Sequence, residues 1–186
     1  LYVSKNFKFG FNRQGNIETL KKHQKKYDYE NIITKPYKKD NKFISSTLIR
    51  KKIQQGKISE ANKLLNRDWS IEGKVIKGKK RGRKIGFPTC NIKLNNYVLP
   101  RLGVYAVKVI GNNFSKKGIA NVGYRPTFKE KSLLLETNIF GINKNLYNKV
   151  LTISFKKFIR AEKKFKNLEY LKKQIKIDIK QAKINV

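Results

Sequence analysis

The 186-residue sequence predicts a mainly β protein: a closed antiparallel barrel of six strands with a helix at its C-terminal end, preceded by a shorter stretch of mixed helix and strand. Three observations lead there. From Trp69 onward, short apolar or alternating stretches recur with turn signals between them, which is the spacing of an all-β barrel. The last segment changes period, with Leu168, Leu171, Ile175, Ile179 and Ala182 at steps of three and four, one stripe of a helix. Before Trp69 the pattern is helical and basic, and it closes on the polar hinge Asn66-Arg67-Asp68. The domain boundary is expected there, giving domains of residues 1–67 and 68–186.

In chain order, Tyr2-Val3 reads as the end of a strand, and Phe7-Lys8-Phe9-Gly10 with Gly15 as a turn-rich loop. Ile17 to Tyr29 is a basic helix with a thin apolar edge of Ile17 and Leu20. Ile32-Ile33 is a short strand ended by Pro36. Ser45 or Ser46 caps a helix that runs to about Gln55, where Gly56 stops it. Ser59 to Leu65 is a second short, capped helix. The chain contains no methionine and opens on Leu1 as if in mid-domain, so a fragment of a longer protein is expected.

The six expected strands are Trp69–Ile76, Asn91–Leu94, Val104–Ile110, Gly118–Val122, Leu133–Phe140 and Val150–Phe155. The last of these alternates Leu151, Ile153 and Phe155 against Thr152 and Ser154, a strand with one face in a core. Asn167 caps the final helix, whose stripe should pack on the barrel.

Composition excludes several classes. A formal charge of +33 fits a polyanion binder, or drift toward lysine, asparagine and isoleucine in an A/T-rich genome. The lysines are spread over nearly every segment, which favours drift, with weak, salt-sensitive nucleic-acid binding as a by-product. One cysteine, Cys90, excludes an internal disulfide and fits a reducing cytoplasm, so a cytoplasmic protein is expected. One histidine, His23, excludes a histidine-based triad or zinc site. No apolar run is long enough to span a membrane, and no signal-peptide pattern is present.

The chemistry concentrates in Gly82-Arg83-Lys84-Ile85-Gly86-Phe87-Pro88-Thr89-Cys90-Asn91-Ile92. Gly78, Gly82 and Gly86 recur every fourth residue among Lys79, Lys80, Arg81, Arg83 and Lys84. Backbone N–H groups beside cations suit phosphate, although a plain basic hairpin loop has the same composition. No Gly-Lys-Ser/Thr follows, so this is not a Walker A loop. After Pro88, Thr89 and Asn91 leave a strand on one face, as two hard neutral oxygen ligands suited to a Mg²⁺ held mostly by substrate phosphates. Cys90 between them has no base to activate it and reads as packing. Of the 12 acidic residues only Glu130, Glu136, Glu162, Glu169 and Asp178 follow Pro88. Glu136 alone is embedded in an apolar strand, where it is either solvent-facing or functional. Upstream, Ser45 or Ser46 at a helix start with Arg50 one turn on forms either an anion site or an ordinary cap with a surface arginine.

The stretch Gly82-Arg83-x-x-Gly86-Phe87-Pro88-Thr89-Cys90-Asn91-Ile92 resembles the signature of riboflavin kinases, with Cys90 in the alanine place of their Pro-Thr-Ala-Asn box. Further pieces resemble that family in the same order: Pro100–Ala106, Ala120–Phe128, Glu136 with Leu146-Tyr147, and Phe158–Phe165. Ile44-Ser45-Ser46-Thr47-x-Ile49-Arg50 resembles the ATP-phosphate motif of bacterial FMN adenylyltransferases, which precede the kinase module in one polypeptide. Asn6-Phe7-Lys8-Phe9-Gly10 is similar to another element of that domain, with Asn6 replacing its aspartate.

The resemblance implies a Greek-key barrel behind the C-terminal remnant of an α/β nucleotidyltransferase domain. It implies that Mg²⁺ and ATP serve transfer of the γ-phosphate to riboflavin, giving FMN, and that the full-length protein also makes FAD. The implied ATP site is Gly78, Gly82, Arg83, Gly86, Thr89 and Asn91, with Mg²⁺ positioned by Thr89 and Asn91. The implied catalytic base is Glu136, with Arg160 and Glu162 near the flavin and Ser45, Ser46, Thr47 and Arg50 on the ATP of the adenylyltransferase half. Arg160 is equally readable as a salt-bridged surface residue, Phe165 as core, and Arg125 as part of a turn. The family's histidine-containing nucleotide loop would lie upstream of Leu1, so this chain alone is not expected to adenylylate FMN. Riboflavin, FMN and ATP are the expected partners, with no specific nucleic acid and no membrane. The alternatives are an inactive remnant, or a basic barrel that binds nucleic acid and would expose aromatics among its basic residues for stacking.

Overall fold

Strand alternation decides the architecture, because it commits one face of each strand to a shared interior. The computed structural model describes residues 1–35, 38–39, 42–78, 80–94, 97–126, 131–142 and 144–186. These form two compact units, Leu1–Ser45 and Ser46–Val186.

In the first unit, strand β1 (Tyr2–Ser4) pairs in parallel with β2 (Ile32–Thr34). Helix α1 (Ile17–Tyr27) connects them, a right-sized crossover for a parallel pair. Its start is capped reciprocally: Asn16 Oδ1 accepts from the Thr19 N–H at 3.0 Å, and Thr19 Oγ1 accepts from the Asn16 N–H at 3.4 Å. Asp28 ends it in the left-handed conformation. A two-residue pair, β3 (Lys38–Lys39) with β4 (Lys42–Phe43), follows.

The second unit begins with α2 (Ser46–Gln54) and α3 (Ile58–Leu65). Strand β5 (Ser70–Lys74), a single turn of helix α4 (Arg81–Lys84) and strand β6 (Cys90–Lys93) come next. Strands β7 (Gly103–Gly111), β8 (Phe114–Pro126), β9 (Lys131–Ile139) and β10 (Val150–Ala161) precede helix α5 (Leu168–Ile184). The sheet order is β5-β10-β7-β8-β9-β6, antiparallel throughout. The run β10-β7-β8-β9 is the Greek-key order. The two edge strands are bridged where the Ile76 N–H donates to the Asn91 carbonyl at 2.9 Å, so the barrel is nearly closed. All six expected strands and the helix are present.

The inward residues are those the alternation marks: Leu151, Ile153 and Phe155 are at most 1% exposed. The Phe155 ring packs at 4.7 Å from Trp69 and edge-on at 5.1 Å from Tyr105. Each such pair adds roughly 0.5–1.5 kcal/mol beyond burial. Tyr105 and Phe155 are wholly buried, so they offer no stacking platform to a nucleic acid.

Helices α2 and α3 belong to this core. Ile53, Ile58 and Ala61 join the barrel's buried cluster, and Asn62 ties α3 on by donating to the Phe155 carbonyl at 2.9 Å and accepting from the Trp69 N–H at 2.8 Å. The change of sequence pattern at Asn66-Arg67-Asp68 and the division of packing therefore fall at different places, because the apolar faces of α2 and α3 are buried on the barrel's own core cluster.

Helix α5 differs from the expectation in one respect. Ala182 and Ile179 pack on Val104, Ala106 and Ile119 of the barrel's outer face. Leu168, Leu171 and Ile175 from the same stripe instead line an open chamber between helix and barrel. Of the remaining expectations, Pro36, Lys79, Thr127, Phe128 and Glu130 lie outside the described residues, and Arg125 is the penultimate residue of β8.

Candidate active site

The site grows out of strand register. Asn91 on β6 is paired with Glu136 on β9, and Glu136 with Asn121 on β8. Three adjacent strands thus carry carboxamide, carboxylate and carboxamide side by side on one barrel face, where directly opposed Cβ atoms lie about 4.5–5.5 Å apart. Their neighbours Ile92, Leu135 and Val122 point the other way, into the core. Glu136 is half-buried, and it shares its strand face with the buried Leu134, which lines the smaller of two chambers beside it.

Two chambers meet at this row. The larger, about 720 Å³, lies between the barrel and α5 and is lined by Ile85, Phe87, Val104, Ile119, Phe165, Leu168, Leu171 and Ile175. The smaller, about 220 Å³, is lined by Lys80, Arg81, Gly82, Thr89, Asn91, Gly123 and Tyr124. Arg81, Gly82, Thr89, Asn121 and Glu136 border both. An apolar chamber and a basic one therefore share a wall, with Glu136 on it.

The stretch between Gly78 and Gly86 is not a plain glycine loop. Lys80 enters α4 in the left-handed conformation, and the Phe87 N–H donates to the Gly82 carbonyl at 2.8 Å. A Cβ on Gly82 would overlap the Phe87 carbonyl oxygen, so this turn closes only on glycine. Gly86 has φ +89°, and a Cβ built on it would meet open space, so glycine is required there by backbone conformation and not by crowding. Asn138 Nδ2 donates to the Pro88 carbonyl at 2.6 Å and fixes the turn to β9. Gly78 and Arg83 lie beside Asn91, Thr89 and Tyr147 in a narrow recess behind the loop.

Thr89 is exposed, whereas Asn91 is 6% exposed and its Oδ1 has no hydrogen-bond partner among the described residues. A buried orphan acceptor is costly unless something occupies it. A Mg²⁺ with a partial oxygen shell fits: the donors are neutral oxygens, and among the described residues no cluster of three histidine, cysteine or carboxylate groups forms a cage that would hold a metal without phosphates.

Cys90 Sγ donates to the Thr137 carbonyl at 3.4 Å, and burial pushes its thiol up to about 11. The residue is packing. We expect alkylation by iodoacetamide at pH 8 to be at least about 10-fold slower in the folded protein than in denaturant, because only the thiolate reacts. Equal rates would overturn that role.

Arg160 and Glu162 both border the larger chamber but have different partners. Arg160 is held by Asp178 of α5, with Nε at 3.0 Å from both carboxylate oxygens and Nη2 at 2.7 Å from Oδ2. Gln174 Nε2 completes the pair by donating to Asp178 Oδ1 at 2.8 Å. The guanidinium also stands 5.7 Å from the centre of the Phe165 ring. Arg160 is therefore a salt-bridged wall residue, and Phe165 lines the chamber. Glu162 Oε1 accepts from Asn121 Nδ2 at 3.4 Å. Ser46, Thr47 and Arg50 are exposed in the first turns of α2, directly after Ser45, and border none of these chambers.

Sequence reasoning missed Asn121 and Asp178. Asn121 shows itself only through cross-strand register. Asp178 had a legible signal, three residues after Ile175 on the apolar stripe, where a carboxylate needs a partner.

Residues 65–186 match the family model described as riboflavin kinase, and residues 1–48 the one described as FAD synthetase. A bifunctional riboflavin kinase/FMN adenylyltransferase of Buchnera aphidicola subsp. Acyrthosiphon pisum is 43% identical over 183 residues, 96% of this chain and 58% of that protein. The Haemophilus influenzae protein of the same name is 40% identical, covering 98% of this chain and 60% of its own length. The Bacillus subtilis one is 44% identical over 146 residues, 76% of this chain and 46% of its own length. The chain thus spans well under two thirds of these relatives. A solved structure from Streptococcus pneumoniae, named a macrolide-efflux protein, superposes with a TM-score of 0.82 at 32% identity, covering 97% of this chain and 60% of that one.

Proposed function

This chain belongs to the riboflavin kinase family, and we propose that residues 68–186 transfer the γ-phosphate of ATP to the 5′-hydroxyl of riboflavin. One observation carries the reading: Glu136 sits where an apolar chamber of flavin-accommodating size meets a basic one. The reaction needs a phosphate cradle, a metal and a carboxylate that orients the attacking hydroxyl and takes its proton. Lys80, Arg81 and the Gly82 backbone supply the cradle. Ile119, Phe165, Leu168 and Leu171 hold an apolar ring system and exclude water around it. Glu136 then receives the hydroxyl proton, with Asn91 and Asn121 flanking the carboxylate. Thr89 and Asn91 would hold Mg²⁺, which neutralises charge on the phosphates when bound. Tyr124, half exposed, also lines the basic chamber.

Residues 1–67 we read as the C-terminal part of an FMN adenylyltransferase domain, on the match of residues 1–48 and the names of the relatives. A protein joining both would make FMN and then FAD, with Ser45, Ser46, Thr47 and Arg50 at the second ATP. A lone, buried thiol supports a reducing, cytoplasmic setting. Among the described residues no helix is long and apolar enough to cross a membrane.

The experiment is FMN formation from riboflavin and Mg-ATP by this chain. Turnover by the parent supports the kinase; none from folded protein, at any Mg²⁺ concentration, sinks it in favour of an inactive remnant. In an active parent, Thr89→Ala should lower kcat/KM for Mg-ATP about 10- to 100-fold, the weight of one charge-assisted contact. An unchanged Mg²⁺ dependence would remove Thr89 from the metal.

A further inference from the structure

Gly123 lies two residues after Asn121 on β8, so both open onto the same outer face of the barrel. A glycine inside a strand weakens it, and usually marks a place where another group comes close. Here that group is identifiable. A Cβ built on Gly123 would overlap Glu162 Oε1, and the same oxygen accepts from Asn121 Nδ2 at 3.4 Å. The Glu162 carboxylate therefore crosses from the end of β10 and lies against β8, over the bare Cα of one residue and beside the amide of the other. Glu162 opens the segment that leads to Asn167, the cap of α5, and that segment with Phe165 and Leu168 forms one wall of the larger chamber.

We propose that Asn121 and Gly123 are positioning residues for the flavin, acting through Glu162. They form a latch that holds the chamber wall from Glu162 to Leu168 at a fixed height above β8. The proposal rests on the kinase reading and extends it. Asn121 neighbours the base in register, but its hydrogen bond goes to the wall, so its loss should be felt in binding of riboflavin more than in chemistry. Glu162 borders the larger chamber and not the basic one, so its loss leaves Lys80, Arg81 and Thr89 in place and should affect ATP little.

The test compares Gly123→Ala, Glu162→Ala and the double variant in the active parent. The clash at position 123 is with the far end of a flexible side chain, so Gly123→Ala should fold and displace Glu162. Expected are a riboflavin KM raised about 10-fold and kcat within about 3-fold, with the KM for Mg-ATP unchanged in Glu162→Ala, whose side chain borders only the larger chamber. Riboflavin affinity by fluorescence quenching, measured without ATP, should fall by the same factor. In the double variant the alanine at 123 has nothing left to displace, so it should match Glu162→Ala alone. Equal riboflavin affinity in Gly123→Ala and parent would overturn the latch. So would effects that multiply in the double variant. An inactive parent speaks against the kinase reading, whereas the quenching series tests the latch without turnover.

Discussion

Glu136→Gln should lower the rate of FMN formation by about 10²–10⁴-fold, the weight of a positioned general base, while leaving the fold and both substrate affinities nearly intact. The substitution keeps shape and removes the carboxylate from the shared wall of the two chambers, where Arg81 is the other charged side chain. Glu136 is half-buried with its strand neighbours Leu135 and Thr137 carrying the core contacts, so the fold does not depend on its carboxylate. Unfolding midpoints within about 2 °C of the parent are expected on that ground, at roughly 2–4 °C per kcal/mol for a chain of this size. Single-turnover phosphate transfer with both substrates saturating isolates the step. A variant retaining more than a tenth of the parental rate would exclude Glu136 as the base. Among the described residues Glu162 is then the one other carboxylate at the larger chamber not held in an ion pair, and Glu162→Gln becomes the next measurement.

Why Glu136 was legible and its surroundings were not is a matter of range. A carboxylate between Leu135 and Thr137 breaks a local pattern, and scarcity of acids made elimination effective. The strands themselves are local: Leu151, Ile153 and Phe155 declare a face within six residues, and Thr89 and Asn91 share one by simple alternation. Asn121 is ordinary in sequence and gains meaning only because β8 pairs with β9 in one register. The turn from Arg81 to Lys84 is helical because the Gly82 carbonyl closes on Phe87, a tertiary choice that glycine permits but does not dictate. The packing boundary moved upstream of the polar hinge for a similar reason: Ile53, Ile58 and Ala61 look like any amphipathic helix face until the barrel they cover is known. Spacing on α5 predicted an apolar stripe that packs. Two of its five residues, Ile179 and Ala182, do, and the other three face a chamber whose existence depends on how far the helix stands off the barrel.

Asp178 ties α5 to Arg160 of β10, and Asp178→Ala should destabilise the second unit by about 3 kcal/mol. The carboxylate is buried on the helix face toward the barrel, and it accepts four hydrogen bonds from Arg160 and Gln174. Removing one partner of a buried pair leaves the other charge uncompensated, at roughly 3–5 kcal/mol. The Arg160 side chain keeps 21% of its exposure, so water recovers part of that and the lower end applies. For a chain of this size the unfolding midpoint should fall by about 6–12 °C. Stability alone does not separate a strut from a flavin ligand. The double variant Asp178→Leu with Arg160→Met does, because replacing both charges with apolar groups of similar volume is often neutral. If the pair is a strut, the double variant regains most of the lost midpoint, and its riboflavin affinity follows the recovered helix position. If Arg160 instead holds the flavin, stability returns and affinity does not. A midpoint unchanged in Asp178→Ala would mean that Ile179 and Ala182 alone seat α5, and the chamber would owe its width to them.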